Sequence, residues 1–271
     1  MFHVGDIAAS EVFYVNGDRM IINYKIILQY DGTRYNGWQK QGNTKNTIQG
    51  KIEETLAKYF DQEIELHGSG RTDAGVHAVG QVANFKVDYK TEKTDEQIKD
   101  ELNSFLPEDI KIVSLEQADS RFHARLNATE KEYRYYISLD KKRDVFTRKY
   151  RAVLGHPEKL DAERMKSASA KLIGEHDFQG FSDNKSKKST IRRIDSIQFV
   201  MHNRSGEYME IIFCGNGFLY HTVRLIVGTL LAVGMGEADE GIIDEIFDSR
   251  DRRKVPYMAP AEGLFLYSVE Y

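Results

Sequence analysis

Two different periodicities alternate along this chain, and a sequence that keeps switching between them must build a core shared by sheet and helix. From Asn23 to Tyr30, Tyr24, Ile26, Leu28 and Tyr30 alternate with Lys25, Ile27 and Gln29, the two-residue period of a strand that Asp31-Gly32 ends. From Thr47, Ile48, Ile52, Leu56 and Tyr59 fall three or four apart with Glu53, Glu54 and Lys58 between them, which is the stripe of an amphipathic helix. Ile64 and Leu66 begin a short strand that runs into a glycine-rich turn from Gly68 to Gly75, and Gln81 to Val87 alternates again. Thr94 and Gln97 have the spacing of a capping box ahead of a helix with Ile98, Leu102 and Phe105 as its apolar stripe, and Pro107 stops it. Lys111 to Leu115 reads as a strand, and the polar stretch Glu116 to Ser120 reads as the boundary between two lobes.

The second half repeats the mixture. Tyr133 to Leu139 and Tyr208 to Phe213 read as strands, Leu264 to Tyr271 as a closing strand, and Asp161 caps a helix expected to run to Gly174. Phe218 to Val233 and Gly241 to Phe247 read as further helices. The division expected is an amino-terminal extension over 1–22, an α/β lobe over 23–120 and a second over 121–271, with antiparallel or mixed sheet and no regular strand-helix alternation of a doubly wound fold.

Composition narrows the function classes. Of 271 residues, 41% are hydrophobic and 30% charged, so the chain folds by ordinary core burial. Cys214 is the only cysteine, which rules out an internal disulfide and a multi-thiolate metal site and fits a reducing, cytoplasmic setting. No secretory signal is expected at the start, and the most apolar stretch, Leu225 to Val233, is too short for a membrane span. There is no Walker-type loop, dinucleotide fingerprint, His-Glu-x-x-His or Gly-x-Ser-x-Gly.

A net charge of −4 does not by itself suggest a nucleic-acid partner. The distribution is less neutral. Between Arg121 and Arg151 lie Arg125, Lys131, Arg134, Lys141, Lys142, Arg143, Arg148 and Lys149, opposed by Glu130, Glu132, Asp140 and Asp144. A second group, Lys185, Lys187, Lys188, Arg192 and Arg193, occupies a Ser-rich stretch that reads as an exposed loop. Each is either a solvated face or a surface for phosphate.

The run from Gly68 to Ala78 sets Asp73 in a loop crowded with glycine, where backbone can approach a ligand closely. Arg71, two residues away, can hold the carboxylate ionised, as a nucleophile at neutral pH requires. The same carboxylate could equally cap the amides of its own turn.

Resemblance separates these readings. Gly70-Arg71-Thr72-Asp73-Ala74-Gly75-Val76-His77-Ala78 resembles the signature loop of the tRNA pseudouridine synthase A family, whose aspartate is the nucleophile. Four further stretches resemble that family's other motifs in order: Tyr30 to Gln39; Phe122 to Arg125 with Lys131 to Tyr135; Gly217 to His221 with Val223, Arg224, Val227 and Gly228; and Ala259 to Leu264. Where many members have Met-Val-Arg-Asn after the histidine, this chain has Thr222-Val223-Arg224-Leu225.

The resemblance implies an α/β (α+β) fold of two ferredoxin-like lobes sharing a mixed, mostly antiparallel sheet with a cleft between them. It implies conversion of uridine to pseudouridine at positions 38, 39 and 40 of the tRNA anticodon stem-loop by a homodimer, without cofactor, metal or membrane. Asp73 would be the nucleophile, Arg224 its basic partner, and Tyr133 the ring stacked on the target uracil. Leu264 would close the base pocket, Arg71 would fill the space left by a flipped nucleotide, and Arg34, Arg125, Lys40 and the basic segment after Lys141 would contact the tRNA backbone. Two other classes fit parts of the pattern: an RNA-binding protein without activity, and a retaining glycosidase, which needs two carboxylates about 5 Å apart where the loop supplies one.

Overall fold

A computed structural model describes residues 20–140, 142, 144–183, 188–203 and 207–271. Lys141, Arg143, Lys185, Lys187 and residues 1–19 of the expected extension lie outside the described residues. In chain order the elements are β1 (Ile21–Tyr30), α1 (Ile48–Phe60), β2 (His67–Gly68), β3 (His77–Asp88), α2 (Asp95–Phe105), β4 (Ile110–Ala118), β5 (Glu130–Ser138) and β6 (Ala152–Val153). They continue with α3 (Ala162–Ser169), β7 (Gly174–Asp177), β8 (Ile191–His202), β9 (Tyr208–Gly215), α4 (Thr222–Gly234), α5 (Ile242–Ser249) and β10 (Leu264–Glu270).

The strongest periodicities build the elements they predict. Tyr24, Ile26 and Leu28 of β1 are wholly buried, and the Tyr24 ring packs on Phe85 of β3 at 5.5 Å between centroids. The Thr47 side chain accepts from the Gly50 amide to start α1, which buries Ile48, Ile52 and Leu56. At α2 both halves of the capping box form: the Gln97 amide donates to Thr94 Oγ1, and the Thr94 amide donates to Gln97 Oε1.

The strands make one mixed α/β sheet in the order β4-β1-β3-β10-β5-β9-β8-β7, with β2 on β3 and β6 on β5. Every pairing is antiparallel except β10 on β3 and β6 on β5. The last strand of the chain therefore lies in the middle of the sheet. It joins β3, from the first half, to β5, from the second. Because β3 and β10 are parallel, their starts are neighbours: Phe265 pairs with His77 and Leu266 with Ala78, so Leu264 comes next to the loop that ends in β3.

Several boundaries differ from the sequence reading. Glu116 to Ala118, expected at the edge of a lobe, continue β4 against Lys25 to Asn23. The α3 helix stops at Ser169, and a 3-10 turn over Ala170–Leu172 leads to Gly174, which opens β7 at φ +109°. Arg192 and Arg193 stand in β8, not in an exposed loop; they lie in its charged first half, ahead of the alternation of Ile197, Phe199 and Met201, and of the strand only Ile194 is buried. Residues 217–219 are irregular and a turn at 220–221 leads into α4, with His221 at φ +67° in left-handed backbone.

The α4 helix is buried along nearly its whole length and carries Arg224 in its first turn. Backbone of the segment before β10 lies directly on it: a Cβ built at Gly228 would overlap the Tyr257 carbonyl oxygen. Gly228→Ala is therefore expected to lower the unfolding free energy by about 1–3 kcal/mol, read as an earlier urea midpoint at unchanged slope. An unchanged midpoint would mean that this contact is slack.

Candidate active site

The loop from Ser69 to Val76 is bolted down before Asp73 is placed. The Ser69 amide donates to the Val82 carbonyl at 2.7 Å, and Gln81 Nε2 donates to the Gly70 carbonyl at 2.9 Å. The Trp38 amide donates to the Thr72 carbonyl at 3.0 Å, and the Tyr30 and Thr72 hydroxyls are bonded at 2.8 Å. Gly37, at φ +89°, lets these backbones meet, since a Cβ there would come within 2.8 Å of the Thr72 oxygen. The Tyr30–Gln39 stretch and the Asp73 loop are thus one packed unit. His77 belongs to the same scaffold; it is buried, with Nδ1 accepting from the Gly32 amide at 3.1 Å.

Asp73 meets its partner from the other end of the chain. Arg224 Nη1 donates to Asp73 Oδ2 at 3.1 Å, and Arg224 Nε donates to the Ala259 carbonyl at 2.8 Å. The two side chains are 11% and 13% exposed, so each charge has lost most of its water and depends on the other. His221 Nε2 lies 3.6 Å from the same Oδ2. Among the described residues, no hydrogen bond or ion pair falls on Oδ1.

Tyr133, on β5, is buried, with its ring edge-on to Phe218 at 5.2 Å. Burial raises its hydroxyl well above the ordinary 10, and the nearby Tyr30 and Asp73 raise it further, so it is a neutral phenol at physiological pH. Leu264 is buried at the start of β10, and the Ala259–Leu264 segment follows the same route past the loop, with the Tyr135 hydroxyl donating to the Pro260 carbonyl at 2.8 Å. The structure thereby brings Asp73 to Arg224, with Tyr133 near the carboxylate, and sets Leu264 opposite Tyr135 at the start of β10.

Other candidates are placed differently. Arg71 does not hold Asp73; its Nε donates to Gln39 Oε1 at 2.9 Å, because the packed Tyr30–Gln39 unit offers that acceptor and Arg224 has taken the carboxylate. Arg34 is exposed but tied to Asp109 through Nε at 2.9 Å and Nη2 at 2.6 Å. Lys40 pairs with Glu53 at 3.0 Å. Arg125 is exposed.

Three site residues escaped the sequence reading: His221, Asp183, which bonds its ring at 2.6 Å, and Lys131, whose Nζ donates to the Ser69 carbonyl at 2.7 Å. Both His221 and Lys131 stand inside recognised motifs, the one signal that could have singled them out. Burial, reinforced by the positive charges of Arg125 and Arg192, brings the Lys131 amine down to about 8 from 10.5. Among the described residues, no cluster of three or more His, Cys, Asp or Glu side chains could hold a metal, and no helix is long and apolar enough to cross a membrane.

Comparison with known proteins points to one family. The model of a family described as tRNA pseudouridine synthase matches residues 26–127 and 168–271. A protein named tRNA pseudouridine synthase A from a Bacillus species is 45% identical over 250 residues, covering 92% of this chain and 99% of its own. One named tRNA pseudouridine synthase A 2 from Bacillus cereus is 43% identical over the same shares. One named tRNA pseudouridine synthase A from Listeria monocytogenes is 41% identical over 92% of this chain and 98% of its own.

The buried pair makes a test of its own. Arg224→Met strands the Asp73 carboxylate and is expected to cost about 3 kcal/mol of stability, part of which Asp73→Asn in the same chain restores. Denaturant unfolding of the two variants checks this. A loss below about 1 kcal/mol for Arg224→Met would show a pair that water screens.

Proposed function

The chain belongs to the tRNA pseudouridine synthase family and is an isomerase, and from that premise we propose that Asp73 is the nucleophile that turns uridine into pseudouridine in tRNA. The observation that carries this reading is the Asp73 carboxylate itself: one oxygen is held by a buried arginine, the other meets no hydrogen bond or ion pair among the described residues, and a neutral buried tyrosine lies close by. The proposed targets are uridines 38, 39 and 40 of the anticodon stem-loop. Recognition of adjacent positions suits contacts to shape and backbone more than to base sequence.

The reaction breaks the N1–C1′ bond, turns the uracil, and joins C5 to C1′, with the C5 proton lost and N1 protonated. Atoms and electrons balance within the nucleotide and its proton exchange. An ionised carboxylate serves by attacking C1′, by adding to C6, or by steadying charge as a glycal-like species forms. Each route needs the carboxylate beside the ribose in a cleft dry enough to keep water from capturing the detached base. Arg224 holds its charge and direction, and Tyr133 lies flat on the uracil with its hydroxyl available to move a proton.

A uridine paired in a stem reaches Asp73 only when flipped out, at a cost in unstacking and unpairing. Arg71, at the edge of the loop, would exchange its Gln39 contact for the space the base leaves, since a guanidinium plane stacks readily on bases. Arg125, with Arg34 and Lys40, would meet the backbone. Leu264 would close the pocket, and the cleft would lie between lobes 23–120 and 121–271. In a homodimer one tRNA would span both subunits, which suits a chain whose net charge is −4.

Incubation with unmodified tRNA followed by adduct mapping of pseudouridine tests the proposal. The wild type is expected to modify the anticodon stem-loop, and Asp73→Asn to bind the same tRNA with no product. Product from Asp73→Asn would overturn the role of this residue, and released uracil would indicate glycosidase chemistry.

A further inference from the structure

His221 holds left-handed backbone, φ +67°, where a side chain other than glycine persists only if its surroundings enforce it. The enforcement comes from the stretch ending at Asp183. Thr222 Oγ1 donates to the Phe181 carbonyl at 2.8 Å, and the Asp183 amide donates to the Tyr220 carbonyl at 3.2 Å. The Tyr220 ring lies on the imidazole, with centroids 3.6 Å apart.

This fixed ring joins two carboxylates. Nδ1 is 2.6 Å from Asp183 Oδ2, and Nε2 is 3.6 Å from Asp73 Oδ2. Asp183 Oδ1 forms an ion pair with Arg252 Nε at 3.0 Å. Arg252, Asp183, His221 and Asp73 thus form a chain drawn from four separate segments. Asp183 accepts the Nδ1 proton, so Nε2 is the nitrogen turned to Asp73, and a protonated ring sets a second cation there. At 3.6 Å the contact is too long for a hydrogen bond, and it attracts the carboxylate when the ring carries both protons. The charged groups facing the ring are Asp73 and Asp183, and each of them is also paired with an arginine, Arg224 and Arg252 respectively.

Arg224 and His221 approach the same carboxylate oxygen. A carboxylate held by one partner keeps a free torsion; one held at a single oxygen from two directions has its plane set. We propose that His221 is a positioning residue for the nucleophile: tethered by Asp183, it holds the Oδ2 edge of Asp73 together with Arg224 and so commits Oδ1 to the substrate. The inference rests on the reading of Asp73 as nucleophile.

The test compares single-turnover rate constants and tRNA affinities of His221→Asn, Asp183→Asn and the double variant. Asparagine accepts left-handed backbone, so His221→Asn preserves the turn, and Asp183→Asn leaves it untouched. Misplacement of a reacting group costs on the order of a hundredfold, so His221→Asn is expected to slow the reaction about ten- to a hundredfold at unchanged tRNA affinity. Asp183→Asn should move the rate the same way, and the double variant should be no slower than His221→Asn, because both act through one chain of contacts. A wild-type rate in His221→Asn, a loss matched by weaker binding, or multiplying losses in the double variant would overturn the inference. An inert Asp73→Asn beside a fully active His221→Asn would sink this inference alone, whereas an active Asp73→Asn would sink the reading beneath it.

Discussion

The buried ion pair between Asp73 and Arg224 ties together residues 151 positions apart, and much of the architecture serves to make it possible. A carboxylate that is 13% exposed needs a counter-charge that cannot swing away into water. Arg224 meets that need because the apolar body of α4 surrounds its base and the Ala259 carbonyl holds its Nε, leaving Nη1 for Asp73. The loop contributes a fixed position, through bonds from Trp38, Tyr30 and Gln81 to its backbone and side chains.

β10 does the same job for the sheet. Paired in parallel with β3 and antiparallel with β5, it sets the start of β3, and so the end of the Asp73 loop, two strands away from Tyr133. The approach to β10 also runs across α4 at Gly228, past Arg224 and against the loop at Gly75, so the last motif of the chain meets both halves of the ion pair's support. Strand, helix and loop therefore constrain one another, and a shift in any of them would be felt at the carboxylate.

How much of this was readable in advance depends on how local the cause was. The Tyr24–Tyr30 alternation and the Thr94 capping box are local patterns, and the elements they predict form. β8 has one buried residue among twelve, opens on the charged Arg192, Arg193 and Asp195, and shifts register between Ile194 and Ser196, so only the short run Ile197, Phe199 and Met201 marks its pairing with β9. Phe218 and Leu219 look like helix, yet they precede a turn imposed by contacts with Phe181 and Asp183. Arg71 stands nearest to Asp73 in sequence but bonds Gln39, and nothing in local spacing shows that the partner would come from α4; motif resemblance alone pointed there. His221 and Asp183 were missed for the same reason, since their meeting depends on folded backbone rather than on any pattern along the chain.

The central claim is that one oxygen of Asp73 remains with Arg224 while the other reaches a ribose whose base has left its helix. A crystal structure with an anticodon stem-loop carrying 5-fluorouridine at the target would test it directly, because fluorine at C5 cannot depart as a proton and the nucleotide should be caught after reaction has begun. The account predicts a base turned out of the stem onto Tyr133, Asp73 Oδ1 against the sugar or ring, and Oδ2 still on Arg224. A stacked, paired uridine with Asp73 remote from it, in a complex competent for modification, would contradict it.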